Sequence, residues 1–154
     1  MNCLGIARKI SVVSGYGESN ISKLNAFDNA LIDANIHDLN LIKVSSILAK
    51  DTSIEEKFEI EKGSFVPCVL SVSYGTENEV ICSGIGVGFN NQNYGYVMES
   101  QGTNNQEVSD KLNEKLNEMA KNRSQEIINT KIVTKEQKVN KTYGCVITAV
   151  IYLF

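Results

Sequence analysis

At 154 residues, with 42% hydrophobic and 21% charged residues and one proline, the chain has the make-up of a single ordinary globular domain, with no room for a second catalytic one. Its 15 basic and 18 acidic residues leave a net charge of −3, which argues against a nucleic-acid partner and mildly favours cationic ligands. Cys3, Cys68, Cys82 and Cys145 are widely spaced with no CxxC pair, and His37 is the only histidine. The pattern suggests neither a zinc site nor a disulfide scaffold, so half-buried reduced thiols and no metal are expected. The apolar stretch Ile10-Ser11-Val12-Val13 is too short for a signal segment or a membrane span, so no membrane partner and a cytoplasmic location are expected.

The first strand is expected from Lys9 to Ser14, running into a turn at Gly15-Tyr16-Gly17. From Ser22 to Asn35, Leu24, Phe27, Leu31 and Ala34 recur at helical spacing, with Ser22 as N-cap and Asn35 as C-cap; Asp28 falls at or beside that apolar stripe. Asp38 to Leu48 reads as one largely buried strand. A polar excursion with a short helical turn follows from Ala49 to Lys62, then strands over Gly63–Tyr74, Val80–Phe89 and Tyr94–Met98. Asn104 to Lys121 places Val108, Leu112, Leu116 and Met119 on one face of a second helix. Two last strands, Ile127–Val139 and Thr142–Leu153, meet at a turn at Asn140-Lys141. Two helices with six or seven strands and short turns imply an α/β sandwich of mostly antiparallel sheets.

The strand from Asp38 carries the pair Ser45-Ser46 at its far end. A serine so placed can attack its own preceding carbonyl and turn the peptide bond into an ester, from which elimination and hydrolysis leave a pyruvoyl group. That group forms a Schiff base with an amino acid and accepts the electrons released when carbon dioxide leaves, the part that PLP plays in other enzymes. A serine pair alone is also common in ordinary loops.

Four segments supply the specificity in order: Leu24-Asn25-Ala26-Phe27-Asp28-Asn29-Ala30-Leu31, Asn40-Leu41-Ile42-Lys43-Val44-Ser45-Ser46-Ile47-Leu48, Gly63-Ser64-Phe65-Val66-Pro67 and Gly95-Tyr96-Val97-Met98-Glu99. Together they resemble the pyruvoyl-dependent arginine decarboxylases, from about Ser11 to the C-terminus. The resemblance implies an α+β fold, the four-layer αββα sandwich with mostly antiparallel sheets. It implies self-cleavage between Ser45 and Ser46 into a β chain (1–45) and an α chain (46–154), with a covalent pyruvoyl from Ser46 and neither PLP nor metal. It further implies a homo-oligomer, a trimer or dimer of trimers, with active sites between subunits that take L-arginine or a similar amino acid.

By the same resemblance Ser46 is the cofactor precursor, and Asn40 matches an asparagine linked to processing and the active site. Glu99 matches a glutamate assigned to proton transfer, and Asp28 an aspartate of the substrate pocket, with Leu24, Leu31, Leu39 and Ile47 as apolar neighbours of the substrate. The chemistry suits these types: the carbanion left by decarboxylation needs a protonated carboxyl group beside it, and a guanidinium needs a carboxylate of matching fork geometry. Each residue also has an ordinary reading. Asp28 suits a helix edge, Glu99 an exposed strand end, Asn40 the satisfaction of backbone groups, and His37 a loop. Two positions depart from the family: His37 stands where a small glycine is common, and Leu48-Ala49-Lys50 stands where prolines follow the serines. A decarboxylase of another amino acid, or an uncut non-catalytic paralogue with a structural or regulatory role, are the alternatives.

Overall fold

The computed structural model describes residues 5–154, so Cys3 lies outside the described residues. Among these, two helices and nine strands form a four-layer sandwich, helix–sheet–sheet–helix. The elements in chain order are β1 (Lys9–Ser19), α1 (Lys23–Asp33), β2 (Asn40–Lys43), β3 (Ile47–Leu48), β4 (Ser53–Ile54), β5 (Phe65–Thr76), β6 (Val80–Asn90), β7 (Gly95–Gly102), α2 (Asn105–Lys121), β8 (Ile127–Lys138) and β9 (Tyr143–Leu153). One sheet has the order β2-β5-β9-β1-β4 and the other β3-β7-β6-β8. Pairing is antiparallel except for β1 with β4 and β2 with β5.

Gly15-Tyr16-Gly17 is not a turn but the second half of β1, paired with Val146 and its neighbours on β9. The glycines are there for helix docking: a Cβ on Gly15 would collide with the Ala30 carbonyl, and one on Gly17 with the Ala26 carbonyl and the Ala30 N–H. The close approach rotates α1 so that Ala26, Ala30 and Ala34, four residues apart, face the sheet together with Leu31. Leu24, expected in the stripe, is 74% exposed, and Asp28 is exposed as well. Ser22 caps the helix as expected, its hydroxyl accepting from the Asn25 N–H at 3.0 Å. Asn35 follows the capping Ala34 with φ of +58°, and the Ile36 N–H returns to the Leu31 carbonyl, a Schellman ending.

The segment read as one strand from Asp38 to Leu48 is two strands in different sheets. β2 pairs with β5 of the first sheet and β3 with β7 of the second, so Val44, Ser45 and Ser46 carry the chain from one sheet to the other. Asn140-Lys141 is likewise a passage between sheets, because β8 pairs with β6 whereas β9 pairs with β1 and β5. Glu18 pins that passage by accepting from the N–H groups of Asn140 and Lys141 at 2.7 and 2.8 Å. The polar excursion holds the short β4 rather than a helical turn.

Between the sheets lies an apolar layer of Ile10, Leu48, Val69, Ile85, Val87, Val97, Val150 and Tyr152. A buried polar group crosses the same gap: the Ser83 hydroxyl donates to the Ser71 carbonyl (3.0 Å) and lies 2.8 Å from the Thr148 hydroxyl, while the Ser71 hydroxyl donates to the Ser100 carbonyl (3.0 Å) and accepts from Gln101 Nε2 (2.8 Å). These bonds join strands of both sheets and leave the buried hydroxyls partnered. On the outer face of the second sheet, α2 buries Val108, Leu112, Leu116 and Ala120, with Met119 half-buried. Its N-cap is Asn104, whose side chain accepts from the Glu107 N–H at 2.8 Å.

Cys68, Cys82 and Cys145 are free and wholly buried rather than half-buried. Desolvation pushes their thiols up to about 11, 11 and 12. At pH 8 only about a thousandth or less of each is thiolate. These three should therefore resist iodoacetamide in the native protein and react fully in denaturant, as mass spectrometry of the alkylated peptides will show. Gly17→Ala should destabilise the fold by about 1–3 kcal/mol, since backbone rather than a flexible side chain blocks the new methyl. Thermal unfolding by circular dichroism should register this as a melting temperature lower by about 2–10 °C.

Candidate active site

Val44 still belongs to the first sheet, its N–H donating to the Cys68 carbonyl at 3.1 Å. Two residues later the Ser46 carbonyl accepts from the Val97 N–H of β7 at 2.9 Å. Ser46 adopts φ of +70° between these anchors, a left-handed conformation that is uncommon for a residue with a Cβ and disfavoured by about 1–2 kcal/mol. The pair lines a cavity of about 350 Å³ with Gly5, Ile6, Ala7, Val44, Ile47, Ala49, Pro67, Tyr152 and Phe154. The Ser45-Ser46 bond thus lies at a surface opening, with the backbone held on both sides.

The segment after the serines is held without prolines. Leu48 is buried, the Thr52 hydroxyl donates to the Ala49 carbonyl at 2.8 Å, and Arg8 Nη1 donates to the Lys50 carbonyl at 3.1 Å. Asp51, at φ of +60°, donates its N–H to the Asn93 carbonyl and accepts from the Asn93 side-chain amide. Hydrogen bonds here do the work of the absent rings.

Glu99 lies within β7 rather than beyond its end, since the strand continues to Gly102. It is two residues from Val97, so by strand alternation it points to the same inter-sheet side. It is half-buried, and the Cys68 thiol feels the charges of both Glu99 and Lys43. Lys115 Nζ of α2 donates to the Glu99 carbonyl at 2.6 Å and fixes the strand there. Glu99 thus stands two residues along β7 from Val97, which holds the Ser46 carbonyl, and does not line the cavity at the serine pair.

The other expected site residues separate into groups. Asn40 begins β2, the opposite end from Ser45, and its side-chain amide donates to the Gly63 carbonyl at 2.8 Å. Leu31 and Leu39 belong to the core between α1 and the first sheet. Leu24 and Asp28 stand on the exposed side of α1, which covers the outer face of that sheet, whereas Ser46 leaves the sheet's edge for its inner neighbour. Ile47, 48% exposed, lies beside the serines. No residue of α1 lines the Ser46 cavity. One chain therefore joins Ser45, Ser46 and Ile47 with Glu99 nearby, and leaves Asp28 and Leu24 on another surface. His37 is a loop residue between α1 and β2, with Nε2 3.8 Å from Asp38 Oδ2, which itself meets Lys62 Nζ at 2.8 Å.

Tyr152 and Phe154, at the far end of the sequence, line the cavity without having been marked by any local motif. The alternation of β9 indicates that Tyr152 faces the inter-sheet layer, but only the fold puts it beside Ile47.

The model of the family described as pyruvoyl-dependent arginine decarboxylase matches residues 9–154. A relative of that description from Methanothermobacter thermautotrophicus is 37% identical over 150 residues, covering 96% of this chain and 98% of its own. One from Methanopyrus kandleri is 33% identical over 151 residues, covering 97% and 99%, and one from Methanococcus vannielii 32% over 148 residues, covering 91% and 87%. A match along almost the whole length, across both sheets and through the serine crossing, makes this chain a member of the pyruvoyl-dependent arginine decarboxylase family.

Proposed function

We propose that the protein removes the α-carboxylate of L-arginine, giving agmatine and carbon dioxide, with a pyruvoyl group made from its own Ser46. Beyond family membership, the observation that carries this reading is the left-handed Ser46 at the crossing between the sheets, gripped on both sides and open to a cavity. Strain held by the surrounding structure is a mark of functional backbone.

In the self-processing step Ser46 Oγ attacks the Ser45 carbonyl carbon, the C–N bond between the two residues breaks, and an ester joins Ser45 to the serine oxygen. Loss of the Ser46 Cα proton then expels the Ser45 carboxylate. Water displaces the nitrogen, which leaves as ammonia, and the keto group remains on an α chain that begins at residue 46. The residues present fit such a group: the Ser46 carbonyl is already held by the Val97 N–H, and the new end opens on the cavity.

Once formed, the group supplies a carbonyl that takes up the electrons freed by loss of carbon dioxide. Glu99 delivers the proton that replaces the carboxylate on the substrate α-carbon. Asp28 accepts the guanidinium through paired hydrogen bonds, and Leu24 and Ile47 offer apolar surface to the methylene chain. Asn40 helps processing by fixing the loop at Gly63 and so the entry into β2. Because a sheet lies between the helix of Asp28 and Ser46, a complete site forms between two copies, in a trimer or dimer of trimers. The free thiols suit a reducing compartment, and the cytoplasm is our assignment. Among the described residues no helix is long and apolar enough to cross a membrane.

Denaturing gels and intact-mass analysis of purified protein should show two chains meeting at Ser45/Ser46, the larger with a blocked end. Ser46→Ala should remain a single 17.0 kDa chain and release no agmatine. An uncut wild-type chain, or release of carbon dioxide from other amino acids but not arginine in a substrate panel, would overturn the reading. Glu99→Gln should lower turnover about 10²- to 10⁴-fold. Co-expression of Glu99→Gln with an inactive Asp28→Asn chain should restore about a quarter of wild-type activity, the share of mixed interfaces that receive both native carboxylates. No recovery would place both carboxylates in one subunit's site.

A further inference from the structure

The Tyr152 hydroxyl donates to the Ile47 carbonyl at 3.2 Å. Tyr152 lies near the end of β9, opposite Ile10 of β1, and is 8% exposed within the inter-sheet layer. Its ring reaches the wall of the cavity that holds Ser45 and Ser46. The bond thus comes from the first sheet and ends on the residue that immediately follows the strained serine.

The need for such a bond follows from how little else holds this segment. β3 is only Ile47 and Leu48, pairing with Tyr96 and Gly95, and a two-residue strand is weak by itself. Upstream, the Val44–Cys68 bond secures the crossing. Downstream, the holds are the Val97–Ser46 bond, buried Leu48 and the Tyr152–Ile47 bond. Cutting before Ser46 would remove the covalent upstream anchor and leave the new end to the downstream contacts alone. The geometry points to Tyr152 as a positioning residue for both stages: it holds the Ile47 carbonyl so that Ser46 keeps its left-handed conformation before the cut, and it keeps the new chain end in register with β7 afterwards.

This inference rests on the proposed cleavage at Ser46. Burial pushes the Tyr152 hydroxyl up to about 12, with the nearby Cys68 adding to the rise, so the group remains a donor at any pH at which the protein would work.

Tyr152→Phe removes the hydroxyl and keeps the ring. Newly made protein sampled over time on denaturing gels should be cut about five- to tenfold more slowly than wild type, the size expected for one hydrogen bond. Fully cut Tyr152→Phe should show a similar fall in kcat with KM for arginine within about twofold, because the defect lies in the presentation of the chain end. Tyr143→Phe, at the other end of the same strand, should match wild type. Wild-type cutting and kcat in Tyr152→Phe would overturn the inference. Slower cutting accompanied by a large fall in melting temperature would also overturn it, assigning the hydroxyl to folding. If wild type itself is not cut at Ser45-Ser46, the function proposed above fails first, so the two failures are distinguishable.

Discussion

Two stacked sheets lie about 10 Å apart, and the four Cα steps from Lys43 to Ile47 reach about 14 Å when fully extended. Val44, Ser45 and Ser46 must cover that gap, because Lys43 is still paired in one sheet and Ile47 already in the other. The crossing is short, and Ser46 takes a left-handed, compact conformation within it. The apolar layer of Ile85, Val97 and Val150 and the hydroxyl group of Ser71, Ser83 and Thr148 hold the sheets at their spacing.

The outer layers are arranged around small residues. α1 meets β1 through Ala26, Ala30 and Ala34 against Gly15 and Gly17, which brings helix and sheet backbones unusually close. A docking face made of alanine leaves larger apolar side chains for other surfaces, and Ile21, Leu24 and Ile32 are more than half exposed, as are Phe65 and Phe154.

Local pattern was a good guide wherever local forces decide the outcome. The Ser22 cap, the extent of α2, and strands β6, β8 and β9 follow from capping chemistry and periodicity to within a few residues. It failed where two readings share one pattern. A glycine pair reads equally as a turn or as a flat patch beneath a helix, and only the partner helix distinguishes them. A continuous apolar run from Asp38 to Leu48 does not show that its two halves pair with different sheets. The apolar run ends at Met98, yet β7 continues through Glu99 to Gly102, where the Ser100 carbonyl accepts from the Ser71 hydroxyl and the Gln101 side chain donates to it.

The sequence by itself determined the family, through four ordered motifs and a match that runs over residues 9–154. It also determined the helices and the extent of the longer strands, because capping residues and apolar periodicity are written within each segment. Tertiary structure alone decided where the site residues stand. It set Ser46 in a strained crossing, turned Leu24 and Asp28 away from it on the outer side of a sheet, and brought Tyr152 from the end of the chain to the Ile47 carbonyl. Contacts between residues about a hundred positions apart depend on how sheets stack and helices dock, and neither leaves a mark in the periodicity of any one segment.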